Sequence, residues 1–129
     1  MTSSIEQQLT EILARHSELR LAILFGSQAS GGATRDSDID VAVLADSPLP
    51  AEFKVALMQQ IALECGRPVD LVDLHTAGEP VLGQVLKGKR LLGSDASYAR
   101  LLTRHLLDAA DFLPLQRRIL AERKAAWIN

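Results

Sequence analysis

The hydrophobic positions of the chain follow two different spacings, which together predict alternating helices and strands. Between residues 4 and 16, apolar side chains recur every three or four positions, as on one face of an amphipathic helix. Ser4 and Gln7 have the spacing of a capping box at the start of this helix. Three short, mostly apolar runs instead predict buried strands. These runs cover residues 19–25, 39–45 and 69–74.

The segments between these strands differ from one another in composition. Residues 26–37 are rich in glycine, serine and threonine, which favours a single helical turn after Ser27 followed by a loop. Residues 51–65 have a helical period, and Gly66 with the nearby Pro68 marks the end of that helix. The first two strands are therefore joined tightly, and the second and third are joined through a helix.

The last third of the chain predicts mainly helices. Proline and glycine separate its apolar segments, and Pro114 is incompatible with an uninterrupted helix. The predicted elements are a helix over 81–86, a short strand over 90–92, a helix over 96–110 and, beyond the break at Pro114, a last helix to residue 126.

This order of elements predicts an α/β (α+β) fold, a mixed β-sheet covered by helices, with a helical C-terminal tail. The connection between the first two strands has no room for a crossover helix, so this pair is expected to be antiparallel. The length of 129 residues fits one domain over 1–129. We expect a core over 1–93 and the tail over 94–129.

Composition narrows the possible functions. Hydrophobic residues make up 47% of the chain, which is typical of a globular protein. Aromatic residues make up only 4%, which argues against a stacking platform for single-stranded nucleic acid, so direct nucleic-acid binding is not expected.

The net charge of −2 conceals an uneven distribution. Residues 1–86 carry 5 Lys or Arg against 12 Asp or Glu, whereas residues 87–129 carry 9 against 4. One interpretation is an ordinary mixed surface. The other is that the acidic part holds a cation while the basic part meets a phosphate or an acidic partner.

The remaining bulk features favour the cytoplasm. Cys65 is the single cysteine, so no internal disulfide is possible. The first residues lack the basic and apolar regions of a signal peptide. No apolar run approaches the about 20 residues that span a bilayer, so no membrane association is expected.

The most informative segment joins the first two strands. Gly26 and Ser27 follow the first strand, and ten residues separate Ser27 from Asp38, which is followed by Ile39 and Asp40. Residues two apart in a strand point to the same face, so Asp38 and Asp40 are expected to lie side by side. Adjacent carboxylates repel each other unless a cation lies between them. Mg²⁺ prefers such oxygen ligands and also binds substrate phosphates.

The glycine and serine predict the other half of a nucleotide site. Gly26 allows the backbone to approach a ligand closely. A turn that enters a short helix presents free backbone N–H groups to an anion, and the hydroxyl of Ser27 is a further donor. Together these parts predict a triphosphate held between the glycine–serine turn and a metal on two aspartates.

A third carboxylate is expected from the third strand. Asp70 lies where the preceding helix returns the chain beside the second strand, and it is a candidate metal ligand and general base. Asp73 is the alternative, but its odd spacing from Asp70 places it on the opposite face of the strand. We therefore favour Asp70.

Aspartates beside loops also cap helices and form turns, and an Asp-x-Asp pair alone is a weak signal. The complete pattern of glycine and serine, ten intervening residues and Asp-x-Asp is much rarer. It resembles the nucleotidyltransferase signature of the DNA polymerase β-like superfamily in its minimal, single-domain form. Within that superfamily, the chain is similar to the MntA-type antitoxins that are paired with HEPN-domain ribonuclease toxins.

The resemblance implies a role for each residue of the pattern. It implies that Gly26 and Ser27 bind the nucleoside triphosphate, and that Asp38, Asp40 and Asp70 are the catalytic, magnesium-binding carboxylates. Relatives often carry a basic residue near the position of Gln28 or Ser30, and both are neutral here. In the same segment, Arg35 is a candidate source of that positive charge, and Ser37 is a further candidate for nucleotide binding.

The implied reaction is the transfer of AMP from ATP to a tyrosine hydroxyl of a cognate HEPN toxin, with release of pyrophosphate. Two alternatives stay open. In the first, the chain neutralises the toxin by binding alone, without catalysis. In the second, it is a nucleotidyltransferase that acts on a small molecule or an RNA end.

Overall fold

The computed structural model of the chain describes residues 4–30 and 38–108. Its elements follow the predicted order, and their described bounds agree with the sequence-based ones to within two residues. The helices are α1 (Ile5–Ala14), α2 (Ser27–Ser30), α3 (Ala51–Cys65), α4 (Val81–Leu86) and α5, which runs from residue 95 to at least residue 108. The strands are β1 (Leu19–Phe25), β2 (Ile39–Ala45), β3 (Val69–Asp73) and β4 (Lys89–Gly93).

The four strands form one mixed sheet in the order β3-β2-β1-β4. β1 is antiparallel to both β2 and β4, which confirms the expectation for the first strand pair. β2 and β3 are parallel, because α3 returns the chain to the same end of the sheet before β3 begins. The expected mixed sheet covered by helices is therefore confirmed.

Capping interactions form at two helix ends that were predicted from the sequence. At the start of α1, the Ser4 hydroxyl accepts from the backbone N–H of Gln7, and the Gln7 side chain accepts from the N–H of Ser4. At the end of α3, Gly66 has a left-handed backbone with φ of 67°, and its N–H donates to the carbonyl of Ala62.

Helices cover both faces of the sheet, and β1 is buried on both sides. Leu19, Ala22 and Leu24 pack with buried residues of α1 and α3. The intervening Leu21, Ile23 and Phe25 pack instead with buried residues of α4 and α5. Burial on two sides explains why β1 is a nearly continuous apolar run.

The same alternation orients β2. Ile39, Val41 and Val43 belong to the cluster with α1 and α3, whereas Ala42 belongs to the cluster with α4 and α5. Asp40 shares the parity of Ala42, so it faces the α4 side of the sheet. This confirms that Ile39, Val41 and Val43 face away from Asp40.

Within residues 4–30 and 38–108, no helix has both the length and the apolar composition needed to cross a membrane. The predicted break at Pro114 and the last helix to residue 126 lie outside the described residues, as does the loop predicted over 31–37.

Candidate active site

Two of the predicted carboxylates are direct neighbours across the β2–β3 ladder. Asp40 is paired with Asp70 in the parallel register, and on its other side Asp40 is paired with Phe25 of β1. Because β1 ends at Phe25 while β2 and β3 begin near these aspartates, the three strand ends meet at one edge of the sheet. We call this end of the sheet, marked by Asp38, Asp40 and Asp70, the carboxylate edge.

Asp38 lies immediately before β2 and is exposed. It is not one of the described residues that line the cavity beside Asp40 and Asp70. Its negative charge nevertheless raises the pKa of Asp40. The three predicted carboxylates thus lie at the same edge, with Asp40 in the middle.

The negatively charged carboxylates of the carboxylate edge repel one another. Burial raises the pKa of Asp40 above its ordinary value, and the charges of Asp70 and Asp38 raise this pKa further. Ionisation of Asp40 is therefore less favourable than that of a free aspartate. A cation at this edge would relieve both the loss of hydration and the repulsion.

Gly26 is required by the geometry of this edge. Its φ of 71° lies in the left-handed region, which favours glycine. A Cβ at this position would overlap Oδ2 of Asp40, so any side chain would displace the central carboxylate. The turn continues directly into α2, where the N–H of Ala29 donates to the carbonyl of Gly26 at 3.2 Å.

A cavity of about 600 Å³ opens at this edge, within the range of about 300–1,000 Å³ that is usual for small-molecule sites. The sheet and the Gly26 turn form one wall, and α4 with the residues that follow it forms the other. Its lining residues are Phe25, Gly26, Ala29, Asp40, Asp70, Val72, Val81, Gln84, Lys87 and Gly88.

The donor set of the site fits magnesium by its chemistry. Carboxylate oxygens are the hard ligands that Mg²⁺ prefers, and Mg²⁺ commonly binds one or two carboxylates together with substrate phosphates and water. Asp40 and Asp70 provide such a pair, with Asp38 beside them. Among residues 4–30 and 38–108, no three His, Cys, Asp or Glu side chains are already arranged to hold a metal by themselves.

Asp73 has a different environment from Asp70, as its odd spacing predicts. Its carboxylate is buried, with 7% exposure, and accepts from the backbone N–H groups of Leu49 and His75 at 2.9 Å each. Asp70, in contrast, is exposed and lines the cavity. Asp73 therefore ties the loop after β2 to the end of β3, and Asp70 is the carboxylate available to a ligand.

Comparison with known proteins bears on the chemistry of this edge. Residues 7–97 match the family described as Polymerase beta, Nucleotidyltransferase, and this segment contains Gly26 and all three aspartates. The chain belongs to this nucleotidyltransferase family. The superfamily predicted from the sequence is thereby confirmed, and the class of ligand is a nucleotide.

Individual nucleotidyltransferases resemble the chain over most of its length. It is 36% identical over 109 residues to the protein adenylyltransferase MntA of Shewanella oneidensis, covering 84% of this chain and 73% of that protein. A chain in a crystal structure of a toxin–antitoxin with AMP-PNP superimposes with a TM-score of 0.80 at 30% identity, covering 92% of this chain and 98% of that one.

A further solved structure contains a tri-AMPylated HEPN toxin of Shewanella oneidensis in complex with MNT antitoxin. The matching chain has a TM-score of 0.74 and 27% identity, and the match covers 93% of this chain and 96% of that one. The chains in these two solved structures share the fold of this chain over nearly their whole length.

Several predicted contacts of this nucleotidyltransferase lie outside the described part of the chain. Arg35 and Ser37 belong to the segment over 31–37, which the structure does not describe. Ser27 begins α2 directly after Gly26, but its predicted hydroxyl contact also lies outside what the structure describes.

The cavity wall formed by α4 was not predicted from the sequence. Val81, Gln84 and Lys87 follow one another at intervals of three, so they share one helical face, and all three line the cavity. The spacing was visible in the sequence, but nothing in it indicates that this face is opposite Asp40 and Asp70. That relation depends on the docking of α4 against β1.

Proposed function

We propose that the chain is a magnesium-dependent protein adenylyltransferase that transfers AMP from ATP to a tyrosine hydroxyl of a cognate HEPN-domain toxin. The observation that carries this proposal is the in-register pair Asp40 and Asp70 beside Gly26, at the mouth of a cavity large enough for a nucleotide. The adenylyltransferase and antitoxin relatives support the choice of AMP and of a toxin as acceptor.

In this proposal, each residue of the carboxylate edge has a defined role. Asp38, Asp40 and Asp70 hold magnesium, which when bound neutralises phosphate charge and orients the triphosphate. Gly26 and Ser27 bind the triphosphate through the turn after β1. Arg35 and Ser37, from the segment that connects this turn to Asp38, are proposed as further nucleotide contacts.

The transfer step requires a nucleophile, a leaving group and a proton acceptor. The tyrosine oxygen forms a bond to the α-phosphorus of ATP, and the bond between that phosphorus and the oxygen bridging to the β-phosphorus breaks. Pyrophosphate leaves with the electron pair of that bond. Asp70 accepts the proton of the tyrosine hydroxyl, because it is the exposed member of the in-register pair and lies in the cavity lining.

Label transfer to the purified toxin partner tests the proposal. ATP labelled on the α-phosphate, with Mg²⁺ present, should label a tyrosine of the toxin, whereas ATP labelled on the γ-phosphate should not. The Asp38→Ala, Asp40→Ala double variant should abolish labelling. Asp46→Ala is the matched control, since Asp46 is an exposed aspartate directly after β2, at the opposite end of the strand.

Two outcomes would select the alternatives. If the double variant still neutralised the toxin completely in cells, the chain would act by occlusion rather than by catalysis. If an aminoglycoside or a tRNA end accepted AMP while the toxin did not, the acceptor would be a small molecule or an RNA.

We make three further proposals, on the cellular compartment, the assembly and the domain organisation. We propose that the protein works in the cytoplasm, on the basis of its single cysteine. We also propose a hetero-oligomer with the toxin, and one domain with a core over 1–93 and a helical tail over 94–129.

A further inference from the structure

The sheet also places a lysine at the end that carries the carboxylates. Along the strand order, Asp70 of β3 is followed by Asp40 of β2, then by Gly26 at the end of β1, and finally by the start of β4. Lys87 immediately precedes β4 and lies at this same end of the sheet, because β4 is antiparallel to β1. The Gly26 turn is therefore flanked by carboxylates on one side and by a lysine on the other.

The backbone next to Lys87 is held tightly against β1. A Cβ on Gly88 would overlap the carbonyl oxygen of Leu24 and approach Cβ of Phe25 at 2.9 Å, so the two segments are in direct backbone contact. The N–H of Lys87 donates to the carbonyl of Gln84 at 3.2 Å, and the N–H of Gly88 donates to the carbonyl of Val85 at 2.9 Å, which closes the end of α4. The position of the Lys87 backbone relative to the Gly26 turn is thus fixed by packing.

The side chain of Lys87 is available to a ligand. It is exposed and lines the cavity together with Asp40 and Asp70. Among the described lining residues of that cavity it is the only cationic side chain. The neighbouring Lys89 differs, since its ammonium group is paired with Glu6 of α1 at 2.9 Å.

From this juxtaposition we propose that the ammonium group of Lys87 binds the β- and γ-phosphates of the nucleotide, at the opposite side of the Gly26 turn from the metal-binding carboxylates. The inference rests on the proposed nucleotidyltransferase site and adds a phosphate-binding residue to it. Lysine is a common phosphate ligand and acts as a point charge on a flexible stem. A lysine at this place compensates for the neutral Gln28 and Ser30 of α2.

The position of Lys87 should also affect the transfer step itself. When the bond from the α-phosphorus to its bridging oxygen breaks, negative charge accumulates on the departing pyrophosphate. A lysine on the β- and γ-phosphates stabilises that charge more strongly in the transition state than in the ground state. Lys87 should therefore affect the rate of transfer as well as the affinity for triphosphate.

Nucleotide binding tests this role without any acceptor. We would measure the affinity of Lys87→Met for AMP-PNP and for AMP by calorimetry, with Mg²⁺ present. The loss of a charged contact should weaken AMP-PNP binding by about tenfold or more, and AMP binding by less than about twofold. Lys87→Arg should recover most of the AMP-PNP affinity, because it keeps the charge.

Lys89→Met is the matched control. It removes the same charge two residues away, but on a side chain that is paired with Glu6, so AMP-PNP affinity should remain that of the wild type. Equal losses for AMP-PNP and AMP, or no loss in Lys87→Met, would overturn the role of Lys87 while leaving the proposed function intact. Failure of the wild type to bind AMP-PNP would overturn both.

Discussion

At the scale of single residues, Gly26 affects both the conformation of the turn after β1 and the position of the Asp40 carboxylate. Two independent constraints act on it: a left-handed φ, and the closeness of Asp40 Oδ2 to the place of a Cβ. The first concerns stability alone, whereas the second concerns the position of the central carboxylate. The chain contains a second glycine that separates these effects, because Gly66 has nearly the same φ and open space around it.

Gly26→Ala and Gly66→Ala should therefore destabilise the protein by similar amounts but differ in activity. An alanine in the left-handed region costs about 1–2 kcal/mol, which urea unfolding would show for both variants. Only Gly26→Ala should lose AMP transfer, because only there does the new methyl group displace Asp40. Transfer retained in Gly26→Ala, or lost equally in Gly66→Ala, would contradict the link between this glycine and the carboxylate.

The two aspartates of β3 should divide stability and activity between them. Asp73→Ala leaves the N–H groups of Leu49 and His75 without their acceptor, so the free energy of unfolding should fall by about 2–3 kcal/mol. Asp70→Asn changes an exposed residue and should alter stability by less than about 0.5 kcal/mol.

Transfer rates should show the reverse order. Asp70→Asn should lower kcat by at least about a hundredfold, the usual effect of removing a general base. Asp73→Ala should keep its activity at a temperature where it is folded. Kinetics and urea unfolding of both variants would check this division, and a large kcat loss confined to Asp73→Ala would reverse the assignment.

The residue patterns predicted the side of the cavity that carries Asp40 and Asp70 better than the side formed by α4. Period two in β2 was sufficient to separate Asp40 from Ile39, Val41 and Val43, and the odd spacing in β3 was sufficient to separate Asp70 from Asp73. No local pattern could predict that Lys87 lies across the cavity, because this depends on α4 packing against β1 through Gly88.

At the scale of elements, the contact between Gly88 and β1 determines where the α4 wall lies. Gly88→Ala must move the end of α4 away from the carbonyl of Leu24, at a cost of about 1–3 kcal/mol. Affinity for AMP-PNP should fall as well, because the shift carries Lys87 away from the Gly26 turn.

Gly78→Ala provides the comparison, since a Cβ there meets nothing within 4 Å. It should change stability by less than about 0.5 kcal/mol and leave AMP-PNP affinity unchanged. Thermal unfolding and calorimetry on both variants would check this. Unchanged AMP-PNP affinity in a destabilised Gly88→Ala would show that the wall does not position the nucleotide.

Most elements could be predicted because each has a signal of its own. The continuous apolar run of β1 reflects burial on both faces, and the bounds of α1 and α3 follow from the Ser4 cap and from Gly66. The place of β4 next to β1 could not be predicted, since pairing between distant segments leaves no local trace in the sequence.

At the scale of the whole molecule, the fold brings acidic and basic positions from distant parts of the sequence to one cavity. Asp40 and Asp70 come from the acidic part of the chain, and Lys87 begins the basic part. The interpretation of the charge asymmetry as a cation site facing a phosphate site is consistent with this placement. Much of the basic part lies beyond residue 108, outside the described residues.

A ligand that bridges these parts should stabilise the entire domain. With Mg²⁺ and AMP-PNP at about 100 times the dissociation constant, the free energy of unfolding should rise by about 2.7 kcal/mol. Mg²⁺ is required for this effect because the carboxylates repel an unaccompanied triphosphate. Thermal unfolding should show no such gain for the Asp38→Asn, Asp40→Asn double variant, and an equal gain there would place the nucleotide elsewhere.

A crystal structure of the protein with Mg²⁺ and AMP-PNP would show whether the three carboxylates and Lys87 hold the nucleotide. We expect a metal bound by Asp38, Asp40 and Asp70, with the triphosphate passing over the Gly26 turn toward Lys87. A nucleotide bound away from this turn, or a metal that leaves these three carboxylates without contact, would contradict it.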